Sequence, residues 1–223
     1  MKLRYLSLLL VLVVARIFAE DNLEIFLTRL QNQDKITKTL QFDFIQEIRP
    51  GDHNQPQKVS GKFYFRSPDK MRLESGDHQP IIIFDKKKIW LYDPATHQAL
   101  ESSQEFLSGV GGIGQNFIFT SWSEKQIADL KENYNFTLTF DSPTYCLTLI
   151  PKLSGGDLPL NFSLKIYFSE PDLVPERNIL TLTRAGEQIV STMEIKNFQR
   201  NKNLSDELFR LPRSVEIIRP GKD

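Results

Sequence analysis

The stretch "GKFYFRSPDKMRLE", residues 61–74, reads as two short strands folded at a proline. Phe63 and Phe65 lie on one face of the first strand, and Lys62, Tyr64 and Arg66 lie on the other. In the second strand, Met71 and Leu73 continue the apolar face. Either these side chains fill a closed core, or they line a hollow that another molecule fills.

Outward from this hairpin the same alternation recurs. Upstream, "TLQFDFIQEIRP" alternates Leu40, Phe42 and Phe44 with Gln41, Asp43 and Ile45. Downstream, strands are expected at 81–84 and 89–92, with a turn at 85–88 and a further short strand at 98–101. More follow at 135–141, 145–151, 163–169, 178–184 and 188–198, with a hairpin turn at "RAGEQ". "SVEII" near the end reads as a last strand. Helical spacing appears at the front, where Leu23, Phe26, Leu27 and Leu30 define one amphipathic helix over 22–33. A second, shorter helix is expected around 123–130, with Ser123 and Gln126 in a capping box. Hairpin spacing favours antiparallel pairing, and no βαβ alternation is present. The pattern predicts an α+β fold: one curved antiparallel sheet with helices over one face.

Composition narrows the function. The 223 residues carry 28 Lys plus Arg against 28 Asp plus Glu, without a long basic block, so nucleic acid is not an expected partner. Phe dominates the aromatics, 16 against 6 Tyr and 2 Trp, which favours purely apolar surfaces. The start, "MKLRYLSLLLVLVVARIFA", has Lys2 and Arg4 followed by an apolar run from Leu6 to Ala15. It reads as a secretory signal over 1–19 cleaved after Ala19, with Ala15 as the alternative, followed by one domain over 20–223. No cysteine near that junction offers a lipidation site, so an unlipidated periplasmic protein is expected. Cys146 is the sole cysteine and reads as an inert strand thiol.

Catalytic signals are sparse. "GVGGIG" matches G-x-G-x-x-G at Gly109, Gly111 and Gly114 but lacks a βαβ unit and reads as a loop. His53, His78 and His97 have no partners at metal-ligand spacing. No nucleophile elbow occurs. Neither a catalytic residue, a metal nor a cofactor is expected, and the chain reads as a non-enzyme.

Five segments together resemble the outer-membrane lipoprotein carrier LolA family: "FDFIQEI" (42–48), "GKFYFRSPDKMRLE" (61–74), "IIIFDKKKIWLYDP" (81–94), "YCLTLIPK" (145–152) and "MEIKNFQRNKNLSDELFRLPRSVEII" (193–218). The resemblance implies an incomplete barrel closed by lid helices. It implies a monomeric periplasmic carrier that binds the acyl chains of lipoproteins and delivers them to the outer membrane. Its partners would be acylated lipoproteins, an inner-membrane lipoprotein-releasing transporter and an outer-membrane acceptor. A lipid-binding or lipid-sensing protein of the same fold, as in RseB-type regulators, is the alternative. The expected acyl cavity comprises Phe42, Phe44, Phe63, Phe65, Met71, Leu73, Ile81, Ile83, Trp90 and Tyr92. Phe106, Leu107, Val110 and Ile113 are the expected lid. Two departures mark a divergent member. The family's lid-associated Arg before the strand-ending Pro is replaced by Ser67, and Arg66, one position earlier, points to the opposite face. The family's hairpin Asp-Gly is here Asp85-Lys86.

Overall fold

A computed structural model describes residues 22–51, 55–76, 79–85, 88–102, 122–152, 161–184 and 187–219. Twelve strands form one open, curved sheet: β1 (Thr39–Pro50), β2 (Gln57–Arg66), β3 (Lys70–Ser75), β4 (Ile81–Asp85), β5 (Lys88–Asp93), β6 (Gln98–Ser102), β7 (Tyr134–Asp141), β8 (Thr144–Pro151), β9 (Asn161–Ser169), β10 (Val174–Arg184), β11 (Glu187–Arg200) and β12 (Glu216–Ile218). Their order across the sheet is β12-β6-β5-β4-β3-β2-β1-β11-β10-β9-β8-β7. The chain starts in the middle, steps outward by hairpins to β6, restarts at the far edge with β7, and steps back until β11 pairs with β1. Neighbouring strands are antiparallel except β12, which pairs parallel to β6. That exception departs from the all-antiparallel expectation, because β12 arrives over the sheet rather than through a hairpin.

Helix α1 (22–36) extends three residues beyond the expected 22–33. Its predicted stripe is the buried one: Phe26, Leu27 and Leu30 are each 2% exposed. The Phe26 ring meets Tyr145 of β8 at 5.0 Å and Phe168 of β9 at 5.5 Å. Helix α2 (Glu124–Asn133) begins where the capping signal placed it, with the Ser123 hydroxyl accepting from the Gln126 N–H at 3.3 Å. Lys131 of α2 reaches Glu24 of α1 at 2.6 Å, tying the helices together.

The strands exceed their sequence signals for identifiable reasons. β10 starts at Val174 rather than 178, and Pro175 is accommodated beside a register shift between Pro175 and Arg177. β2 starts at Gln57, because pairing with β1 carries it through "QKVS", which has no apolar alternation of its own. Gly61 lies opposite Phe44 in that pair. A Cβ at Gly61 would come within 2.6 Å of the Phe44 ring and would also meet the Glu74 carbonyl, so only glycine lets the ring lie across the strand.

Candidate functional site

Directly opposed residues of antiparallel strands point to one face. The register therefore defines which residues share the helix-covered face of the curved sheet, called the concave wall. One row runs Phe42–Phe63–Leu73–Ile82–Leu91 across β1 to β5. The next runs Leu40–Phe65–Met71–Phe84–Ile89. Phe44 continues the wall onto Ile195 of β11. Phe63 and Ile89 are fully buried, and Phe63 stacks on Phe42 at 4.8 Å between ring centres. Phe65, Met71, Phe84 and Leu91 are only half-buried against the same cluster. All of these side chains are hydrocarbon or thioether, so the wall offers apolar contact without a proton donor or acceptor.

Phe42, Phe44, Phe63, Phe65, Met71 and Leu73 share this wall, as the alternation predicts. Ile81, Ile83, Trp90 and Tyr92 do not. Ile81 pairs with Tyr92 and Ile83 with Trp90, but Arg72 is the β3 partner of Ile83, which puts all four on the convex face. Their places on the concave wall are taken by Ile82, Phe84, Ile89 and Leu91. β4 and β5 are apolar on both sides, so alternation within them could not choose the face. The pairing of Leu73 with Ile82 chooses it. Phe106, Leu107, Val110 and Ile113, together with "GVGGIG", His53, His78 and residues 1–21, lie outside the described residues.

The convex face has a cover of its own: the opening of "NLSDELFRLPRSVEII" reads from sequence as a short turn or helix, but its place over this face does not. The C-terminal segment lays a short 3-10 helix, Asp206–Phe209, across β3 and β4. Phe209 and Ile83 are fully buried there, with Tyr92 and Ala99 nearby in the register. Arg72 donates to the Leu208 carbonyl at 3.2 Å. Arg66 lies over the Phe209 ring at 5.5 Å and forms an ion pair with Asp206, which also binds Lys70 at 3.1 Å. The Lys70 hydrogen bond, followed by the charges of Lys70 and Arg66, holds the Asp206 carboxyl below the usual carboxylate range. Arg66 is therefore engaged on the face opposite Phe63 and Phe65.

Polar ties hold the concave cover at the other half of the sheet. Arg29 of α1 donates to the Tyr145 hydroxyl at 3.3 Å, to Glu170 at 3.2 Å and to the Pro171 carbonyl at 2.9 Å. At the C-terminal end of α1, Asp34 accepts from the Trp122 N–H at 2.9 Å. Arg200 donates to the Asp172 and Leu173 carbonyls and lies 4.9 Å from the Phe198 ring. Burial lowers its pKa, partly offset by the Asp172 charge. Cys146 is half-buried, with its Sγ 3.9 Å from the Thr148 hydroxyl. Among the described residues no group of His, Cys, Asp and Glu is placed to hold a metal ion, and no helix is long and apolar enough to cross a membrane.

A one-layer open sheet, with an apolar inner wall and helices laid against it, defines a half-barrel of the binding-protein kind. The chain belongs to the outer membrane lipoprotein carrier protein LolA family, whose model matches residues 35–212. The outer-membrane lipoprotein carrier protein of Legionella pneumophila (strain Paris) is 24% identical over 220 residues, 96% of this chain and 98% of that protein. The Haemophilus influenzae carrier is 26% identical over 181 residues, 80% and 79% of the two chains. The Glaesserella parasuis carrier matches more locally, 33% identical over 69 residues, so the alignment spans 33% of that protein. Among solved structures, an uncharacterized conserved protein from Thermus thermophilus superposes with a TM-score of 0.54 at 13% identity, covering 89% of this chain and 99% of its own. Low identity throughout agrees with a divergent member.

Proposed function

We propose that this protein is a periplasmic carrier that takes the acyl chains of lipoproteins onto its concave wall and delivers them toward the outer membrane. The observation that carries this reading is the half-buried band of Phe65, Met71, Phe84 and Leu91 beside fully buried neighbours. Such a band is the surface from which an alkyl chain can displace the protein's own contacts. Each buried methylene contributes ~0.8 kcal/mol. A chain of roughly sixteen carbons is therefore worth on the order of 12 kcal/mol gross. Two or three such chains, fully buried, would never be released. A partly filled wall lowers the net gain, because cargo replaces contacts that the empty protein already makes. The family name and the two near full-length relatives support a lipoprotein as the cargo. Export by a cleaved leader, an inner-membrane releasing transporter and an outer-membrane acceptor belong to the same reading.

The test is mild purification from the native cell, followed by mass spectrometry of the bound material. Acylated peptides are expected with the wild-type protein and should be lost from Phe65→Glu, a half-buried position where circular dichroism should stay unchanged. Recovery of free phospholipid alone from the wild type would replace the lipoprotein by another lipid. Full occupancy in a folded Phe65→Glu protein would remove the concave wall from the site.

A further inference from the structure

The two edges of the sheet are finished differently. At one, the chain adds its own β12 beside β6, with the Gln98 amide donating to Glu216 at 2.9 Å. At the other, β7 pairs with β8 without interruption from Tyr134↔Pro151 to Asp141↔Thr144, and no described strand pairs with its outer side. Every second N–H and C=O along residues 135–141 points outward there, while the Tyr134 N–H donates to the Leu130 carbonyl at the end of α2. Natural edges are usually blunted by lysine, proline or a bulge. Among Tyr134–Asp141 there is neither lysine nor proline, and the register with β8 has no bulge.

The side chains of that edge are symmetric about Leu138. Residues 135–141 read Asn-Phe-Thr-Leu-Thr-Phe-Asp. Antiparallel pairing of two identical strands about a two-fold axis sets residue i opposite a fixed partner on the other copy. With the axis at Leu138, Phe136 meets the other copy's Phe140, Thr137 meets Thr139, Asn135 meets Asp141 and Leu138 meets itself. Each is a favourable cross-strand pair: aromatic with aromatic, Thr with Thr, amide with carboxylate. Phe140 is 51% exposed and beside Ile25, 60% exposed, across a cleft of about 280 Å³ lined also by Phe26, Arg29, Leu138 and Tyr145. The axis stands perpendicular to the sheet, so the concave faces of the two copies continue on the same side.

We propose that β7 is a homodimerisation edge, on which a second copy of this chain pairs antiparallel in the register centred on Leu138. This replaces the monomer expected from the family and is independent of the cargo. One strand pair buries less than the ~1,200 Å² of a standard stable interface, so the dimer is concentration-dependent. Sedimentation velocity from about 1 μM upward should show the mean mass rising toward twice that of the chain, as a small interface of this kind requires. Thr137→Lys/Thr139→Lys puts lysine opposite lysine at both Thr pairs and should weaken association by about tenfold. Thr137→Lys/Thr139→Glu puts opposite charges there and should restore it. Both threonines are exposed, so folding is not at stake. In a Cys146→Ser background, Leu138→Cys should form a covalent dimer under oxidation, since residues on the axis lie ~4.5–5.5 Å apart at Cα. Thr139→Cys should not. A wild type that stays monomeric at every concentration, charge variants that associate alike, or equal cross-linking at 138 and 139 would each overturn the proposal.

Discussion

Beneath α1, Phe168 is 1% exposed and is touched by Phe26 at 5.5 Å and Trp122 at 6.0 Å. Across the same concave wall, Phe65, Met71, Phe84 and Leu91 are only half-buried. The residue types are alike, and the difference lies in what reaches them. At β8–β9 a helix with three buried apolar residues is pinned by Arg29 to Tyr145, Glu170 and Pro171. Hydrophobic side chains in one continuous wall are therefore tightly covered at one end and partly exposed at the other. The distinction is set by what packs over each part of the wall rather than by hydropathy.

Stability measurements can break that comparison. Phe168→Ala should cost roughly 3–5 kcal/mol in denaturant unfolding, as for a fully packed aromatic. Phe65→Ala should cost less, about 2–3 kcal/mol, because part of its surface stays exposed in the folded protein. Equal losses would make the whole wall a single core. The next effect is smaller. Arg29→Ala should lower stability by about 1 kcal/mol or less, since its ion pair with Glu170 is partly exposed. Its sharper readout is faster amide exchange along α1 than along β2 and β3. Unchanged exchange in α1 would mean that packing alone holds the helix.

The smallest expected effect concerns the convex cover. The folded Asp206 carboxyl titrates below its ordinary value of ~3.9. A depressed carboxylate contributes its stabilisation above the unfolded value and loses it as pH falls through the folded one. The contact of Asp206 with Lys70 and Arg66 should thus persist through about pH 4 and fail only as pH falls below the ordinary carboxylate value. Asp206→Asn should loosen residues 204–210 at neutral pH, read by amide exchange, and should remove the acid-dependent step from that segment. A segment that loosens with the same pH profile in wild type and Asp206→Asn would separate it from this carboxylate.

Local signals in the sequence were sufficient for much of this architecture. The α1 stripe, the Ser123 cap and the alternation of Phe42, Phe44, Phe63, Phe65 and Leu73 each depend on neighbours a few residues away. The strand positions among them could be assigned to a shared face because the side-chain period of a strand is two. Where a strand is apolar on both sides, as in "IIIFD" and "KIWLY", the period carries no preference. Ile82 and Ile83 then look equivalent until pairing with Leu73 and Arg72 separates them.

By itself, then, the chain specified which segments become strand or helix, and the concave side of β1 to β3, because those choices are made by short-range periodicity and capping. Tertiary structure decided the faces of β4 and β5, the parallel addition of β12, the capture of Arg66 by Asp206, and which half of the wall is firmly covered. Each of these depends on contacts between residues far apart in sequence, where register and shape fit, rather than local pattern, fix the lowest free energy.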